Sequence, residues 1–256
     1  IIAMRVAPHF GDDRRKDRRI RLRPITMVIE NVTYSTMDWG FGGFSIEGYQ
    51  GNRKAGDFVT APEISPVFSR CLARQCAQVL AAVPRGDLLE FGAGTGAMAA
   101  DLLAELEQLG SLPERYLILE LSPDLRQRQQ EMLAQRVPRL QGKVQWLEEM
   151  PAPGFSGVIL ANEVLDAMPV QRFRLESGKI YEQFVRVGGE AFELFWGAPQ
   201  TPGLEEAVAG LGLEDGYESE LNLRARDWVL ELGQRMGAGA VLLVDYGYPQ
   251  AEYYHP

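Results

Sequence analysis

The chain has 256 residues, of which 46% are hydrophobic and 24% charged, and it carries a net charge of −9. This is the composition of an ordinary soluble globular chain, long enough for one α/β domain with an accessory lobe. The negative balance argues against broad binding to nucleic acid or anionic membranes, and no apolar stretch is long enough to insert in a bilayer.

Taken in chain order, residues 1 to about 30 form an Arg-rich arm with little hydrophobic patterning, for which partial disorder is expected. Its basic run, 14–21, contains an acidic residue and adjoins no apolar segment. It reads as a solvated tail, and neither a secretory signal nor a good transit peptide is visible. Residues 34–56 are rich in glycine and carry Trp39, Phe41, Phe44 and Tyr49, which predicts an irregular aromatic loop, a cap over something, in place of a helix or clean strand. Ser65-Pro66 supplies an N-cap and a first helical residue for a helix over 66–83. Cys71 and Cys76 lie in that helix and are expected to be reduced and half-buried, with too few companions for a disulfide framework or a metal site. With only two histidines, a His-based triad is not expected either.

Asp87-Leu88-Leu89-Glu90-Phe91-Gly92-Ala93-Gly94-Thr95-Gly96 reads as a buried strand, a glycine turn and a helix start, and 97–109 has helical periodicity. A dinucleotide fingerprint requires G-x-G-x-x-G, whereas the spacing here is G-x-G-x-G followed by Ala97. That favours S-adenosylmethionine over NAD. Glu90 points the same way, since a carboxylate before the turn can receive the ligand's cationic amino-acid end and would repel a pyrophosphate. Taken alone, the pattern would also suit a βα turn with no ligand.

A second strand is predicted over 116–120, and Glu120 falls at its carboxyl end, 30 residues after Glu90, where it can accept hydrogen bonds from both hydroxyls of a ribose. A solvated Glu is the bland alternative. Ser122-Pro123 opens a helix to about 136, and a third strand is predicted over 144–147. The fourth, 157–161, ends in Asn162-Glu163-Val164-Leu165-Asp166-Ala167-Met168-Pro169. Carboxylates and an amide at that end of a doubly wound sheet face the ligand crevice, although a polar loop capped by Asp166 would leave the same trace. Three β-type runs, 170–175, 180–187 and 190–196, predict an antiparallel meander. A helix over 220–236 and a fifth strand over 240–245 follow.

Five segments together resemble the MidA-type proteins, which are related to a mitochondrial complex I assembly factor and have the class I S-adenosylmethionine-dependent methyltransferase fold. They are Gly56-Asp-Phe-Val-Thr-Ala-Pro-Glu-Ile-Ser65, Leu89-Glu-Phe-Gly-Ala-Gly-Thr-Gly96, Leu119-Glu-Leu-Ser-Pro123, Ala161-Asn-Glu-Val-Leu-Asp-Ala-Met-Pro169 and Val244-Asp-Tyr-Gly-Tyr248. The resemblance implies a Rossmann-like α/β fold: a mostly parallel sheet with helices on both faces, an antiparallel insertion and an N-terminal cap. The expected divisions are an arm and cap over 1–55, a cofactor-binding core over 56–169, the insertion over 170–218 and a return to the core over 219–256. Residues 27–49 match the family loosely. The sequence ends about ten residues after the fifth strand, so two further strands of the fold, with part of the acceptor site, are expected to be missing.

The resemblance also implies methyl transfer from S-adenosylmethionine, leaving S-adenosylhomocysteine. The acceptor would be a protein arginine on a respiratory complex I subunit or bacterial counterpart, in the cytoplasm of a bacterium or the mitochondrial matrix of a eukaryote. Glu90, Gly92, Ala93, Gly94, Gly96, Glu120, Leu121 and Asn162 would bind the cofactor, and Thr60, Pro62 and Glu63 would close over it. Glu163 and Asp166 occupy a place similar to the acidic loop of arginine methyltransferases and would hold the guanidinium. An alternative of another class is a cofactor-binding assembly factor without transfer activity, docking through the meander and the aromatic segment.

Overall fold

The computed structural model describes residues 61–188 and 191–254, together with the backbone of β1 (Ile2–Arg5), β2 (Thr26–Ile29), β3 (Val32–Gly40) and β4 (Gly43–Ile46). β2, β3 and β4 form an antiparallel sheet, with Met27 opposite Tyr34 and Trp39 opposite Phe44. The expectation of an irregular aromatic loop is therefore corrected for these residues. Val32, Thr33, Tyr34 and Trp39 are β-branched or aromatic and suit a pleated strand, and Gly40 and Gly43 end the paired strands instead of breaking them. Apart from β1 and β2, the expected disorder of the arm falls outside the described residues.

A short helix, α1 (Ala61–Ile64), leads into α2 (Pro66–Ala82). Ser65 is extended, its Oγ accepts the Val67 N–H at 3.2 Å, and Pro66 follows as predicted. α2 buries Ser69, Leu72, Ala73, Cys76 and Leu80 at helical spacing, the stripe it lays on α3. Cys71 and Cys76 are free, but not half-buried: Cys71 is exposed and Cys76 lies inside. Five residues apart, they fall on different faces of the helix.

The chain continues through β5 (Asp87–Phe91), α3 (Ala97–Gln108), β6 (Tyr116–Leu119), α4 (Pro123–Arg136), a 3₁₀ turn (Pro138–Lys143), β7 (Val144–Leu147) and β8 (Phe155–Asn162). Next come β9 (Gln171–Glu176), β10 (Lys179–Gly188), β11 (Ala191–Gly197), α5 (Leu204–Ala209), β12 (Glu218–Leu221), α6 (Leu223–Arg235), β13 (Met236–Asp245) and α7 (Gln250–Tyr253). Among the described residues the main sheet has the order β1-β13-β8-β5-β6-β7. β5 pairs in parallel with β6 and β8, and β6 with β7, so the fold is the expected Rossmann-like α/β arrangement.

All five residues of β5 are buried, as befits a central parallel strand with both faces covered. Phe91 pairs with Leu119 on one side and Ala161 on the other. That register brings the glycine turn, Glu120 and Asn162 to the same edge. Gly157 makes it possible: its φ is +135°, and a Cβ there would lie 1.9 Å from the Asp87 carbonyl oxygen.

The chain divides into two compact units, the first built chiefly on residues 8–162 and 236–243, the second on 163–235 and 244–256. The second unit contains the expected antiparallel meander, in a sheet of order β11-β10-β9-β12. Its core is Phe173, Leu204 and Val208, with Leu175, Ile180 and Leu221 packed around them. Two boundaries are corrected. Residues 218–221 extend the sheet beside β9, and the helix expected from 220 starts at Leu223, where the Asn222 Oδ1 accepts the Ala225 N–H at 2.9 Å. Met236, expected to end that helix, opens β13 instead.

Candidate functional site

The turn after β5 is made by Gly92, Gly94 and Gly96, all at positive φ, the last serving as N-cap of α3 without any side-chain hydrogen bond. Its backbone N–H donates to the Ala93 carbonyl at 2.8 Å. Gly92 and Gly94 are exposed and Ala93 is buried. From α1, the Glu63 Oε1 accepts the Thr95 hydroxyl at 3.0 Å, so that segment is tied to the turn, and Pro62 beside it is buried. Thr60 lies outside the described residues.

Glu90, at the end of the same strand, is wholly buried. The Tyr116 hydroxyl donates to its Oε2 at 2.5 Å, and among the described residues its Oε1 has no hydrogen-bond partner. Burial pushes the Glu90 pKa up to about 7, against the pull of the Tyr116 hydrogen bond. Burial, with Glu90 nearby, likewise raises Tyr116 well above its usual value and Cys76 to about 12. A buried carboxylate oxygen lacking a donor is what a cationic ligand group would satisfy.

Glu120 is also buried, and both oxygens are anchored. Oε1 accepts the Ser122 N–H at 2.8 Å and Oε2 accepts Gln129 Nε2 at 3.1 Å. Each oxygen keeps acceptor capacity for a further donor. Leu121, the next residue, is 71% exposed, and Asn162 is buried at the end of β8. Gln129 was not among the residues expected from sequence, because α4 reads as a polar, solvated helix. The available signal was spacing: Gln129 lies midway between Leu125 and Leu133, four residues from each, on the helix's inward stripe.

In the second unit, Glu163 has φ +51°, an uncommon conformation for a side chain with a Cβ, and its N–H donates to the Val244 carbonyl at 2.8 Å. The Asp245 Oδ2 accepts the N–H groups of Leu165 at 2.7 Å and Asp166 at 3.4 Å, and its Oδ1 accepts that of Tyr246 at 2.8 Å. Asn222 Nδ2 donates to the Leu165 carbonyl at 3.0 Å. Desolvation, then the Asp245 charge, moves Asp166 upward from its ordinary pKa. Tyr246 is raised by burial and then by Glu163, Asp166 and Asp245, which marks these carboxylates as one acidic group. Sequence reasoning singled out Glu163 and Asp166 but missed Asp245 and Asn222 as the residues that hold their loop.

Among the described residues no cluster of three or more His, Cys, Asp or Glu could hold a metal ion, and no helix is long and apolar enough to cross a membrane.

Comparison with known proteins follows the same lines. Residues 71–256 match the model of a family of S-adenosyl-L-methionine-dependent methyltransferases. A COG1565 superfamily member from Burkholderia thailandensis, with a crystal structure bound to S-adenosylhomocysteine, is 40% identical with a TM-score of 0.72, the match covering 78% of this chain and 51% of that one. The mitochondrial protein arginine methyltransferase NDUFAF7 of Danio rerio is 29% identical over 221 residues, 75% of this chain and 52% of the relative. Its Drosophila melanogaster homologue is 30% identical over 237 residues, 78% and 53% respectively. The chain spans about half the length of the curated relatives it matches. A Rossmann-like sheet, a glycine turn flanked by two buried glutamates and a family match over residues 71–256 agree, and the chain belongs to this family of S-adenosyl-L-methionine-dependent methyltransferases.

Proposed function

We propose that the chain binds S-adenosylmethionine beside the glycine turn and directs its methyl group to a protein arginine, on a respiratory complex I subunit or a bacterial counterpart. The observation that carries the reading is the buried Glu90 Oε1, which has no donor among the described residues, next to a turn whose Gly92 and Gly94 are exposed. The residues fit the cofactor. Glu90 would take its ammonium group, the backbone of Gly92, Ala93, Gly94 and Gly96 would line its amino-acid end, and Glu120 would accept from its ribose hydroxyls. Leu121 offers an exposed apolar surface for the base, Asn162 a polar group at the neighbouring strand end. Thr60, Pro62 and Glu63 would form the covering segment, with the Glu63–Thr95 hydrogen bond as its latch.

The cofactor supplies a methyl group already activated on a sulfonium, so the chain's task is alignment and charge placement. Glu163 and Asp166 would grip the planar guanidinium by its N–H fork, which Arg presents to carboxylates in fixed geometry. The reacting nitrogen must release a proton as the N–C bond forms. Asp166, shifted toward its protonated form, is suited to receive it. That the relatives in Danio rerio and Drosophila melanogaster are mitochondrial protein arginine methyltransferases supports the arginine acceptor and a mitochondrial location for a eukaryotic homologue.

The test is Glu163→Gln, scored by titration of S-adenosylhomocysteine and by mass spectrometry of an arginine-containing acceptor. Unchanged affinity with transfer reduced at least about a hundredfold supports the assignment. Normal transfer by the variant removes Glu163 from the clamp. Cofactor binding with no acceptor methylated by the parent chain would favour the assembly-factor alternative.

A further inference from the structure

Gln129 touches both halves of the proposed cofactor site, the glycine turn and Glu120. It lies on α4, fully buried, and both ends of its amide are engaged: Nε2 donates to the Gly94 carbonyl at 3.0 Å and to Glu120 Oε2 at 3.1 Å, while Oε1 accepts the Trp146 indole N–H at 2.9 Å. The amide orientation is dictated by these partners. Turned over, its oxygen would face a carbonyl and a carboxylate, and its NH₂ would face the indole N–H, so all three hydrogen bonds would be lost. Trp146 on β7 thus locks the amide, and Gln129 locks Glu120 to the turn.

The approach also explains Gly96. A Cβ there would lie 3.0 Å from the Gln129 Cα and 3.3 Å from its Cβ, so the absence of a side chain at Gly96 lets α4 come close enough for the amide to reach the Gly94 carbonyl. Ser122 and Gln129 donate to different oxygens of Glu120, and the carboxylate plane is held from both ends. A carboxylate held in that way presents the remaining acceptor sites of both oxygens in a fixed plane, an arrangement suited to two vicinal hydroxyls.

We infer that Gln129 is a positioning residue for ligand specificity: by bridging the Gly94 carbonyl and Glu120, it sets the carboxylate to recognise the vicinal diol of an adenosyl ribose, with Trp146 fixing the amide's orientation. The inference rests on the proposed cofactor reading and adds to it the residue through which the ribose requirement is imposed. A deoxyribose ligand would be discriminated against only while that bridge stands.

The experiment is calorimetric titration of the full chain with S-adenosylhomocysteine and with its 2′-deoxyribose analogue, in the parent, Gln129→Met, Trp146→Phe and Glu120→Ala. The parent is expected to bind the deoxy ligand about tenfold more weakly. Gln129→Met, similar in volume but without donors, is expected to bind S-adenosylhomocysteine about tenfold more weakly and to lose at most about twofold more when the hydroxyl is removed. An undiminished tenfold penalty in Gln129→Met would mean that the side chain only supports the fold, and would overturn the inference. Trp146→Phe leaves Gln129 in place but unlocks its amide, so it should reduce the hydroxyl penalty in smaller measure; an unchanged penalty there overturns the locking role even if Gln129→Met fails to fold. Failure of the underlying reading looks different. The parent would then bind no S-adenosylhomocysteine, or Glu120→Ala would bind it as well as the parent does.

Discussion

Glu90 holds a proton that an exposed glutamate would release. Burial moves its pKa from 4.5 to about 7. Below pH 4.5 the folded and unfolded chains both carry that proton and nothing is lost. Between about 4.5 and 7 the unfolded chain releases it while the folded chain keeps it, so stability falls as pH rises, by roughly 3 kcal/mol for the whole interval. Glu90→Gln should lack this decline, and denaturant unfolding of both proteins at pH 5 and pH 7.5 checks it. An ammonium group next to the carboxylate favours the ionised form. Affinity of the parent for S-adenosylhomocysteine should therefore rise toward pH 7, and the Gln variant should be flat over the same range. A parent with no pH dependence in either measurement would show that Glu90 is not the buried acid described.

At the scale of elements, two positions carry more than their own side chains. Asp245 accepts three backbone N–H groups, from Leu165, Asp166 and Tyr246, and so shapes the loop that carries Glu163 and Asp166. Asp245→Ala should cost about 2 kcal/mol of stability by leaving these donors to water or unpaired. Methyl transfer should fall sharply while S-adenosylhomocysteine affinity stays within about twofold, a split read by parallel unfolding, kinetic and titration measurements. Gly157→Ala is expected to be more damaging, since its Cβ would collide with the Asp87 carbonyl and break the pairing of β5 with β8. Soluble, cooperatively folding protein from that variant would contradict the close approach. Which elements were legible follows from their own chemistry: the Ser-Pro starts of α2 and α4 and the apolar runs of β5 and β8 declare themselves locally. β12, Glu-Ser-Glu-Leu, does not, because it becomes a strand only by pairing with β9.

For the molecule as a whole, a ligand that binds only the folded chain must stabilise it. At a concentration a hundredfold above its Kd, S-adenosylhomocysteine should add about 2.7 kcal/mol and raise Tm by about 5–10 °C. Gly94→Val should show no rise. Gly94 has φ +53° and its Cβ direction is open, so the loss would come from backbone strain and from blocking the ligand's approach, with no clash inside the fold. A Tm shift retained by the variant would place the ligand elsewhere. Residue types and local spacing were enough to establish the glycine turn, the helix caps, the parallel-strand core and the paired acidic positions Glu90 and Glu120, because each depends on neighbours in the chain. Only the tertiary structure decided what stands around them. Tyr116 reaches Glu90 across 26 residues, Gln129 reaches Gly94 across 35, and Asp245 reaches Leu165 across 80. Hydrogen bonds of that separation leave no periodic trace in a sequence, since their donors and acceptors meet only when strand register and helix packing bring them within 3.0 Å.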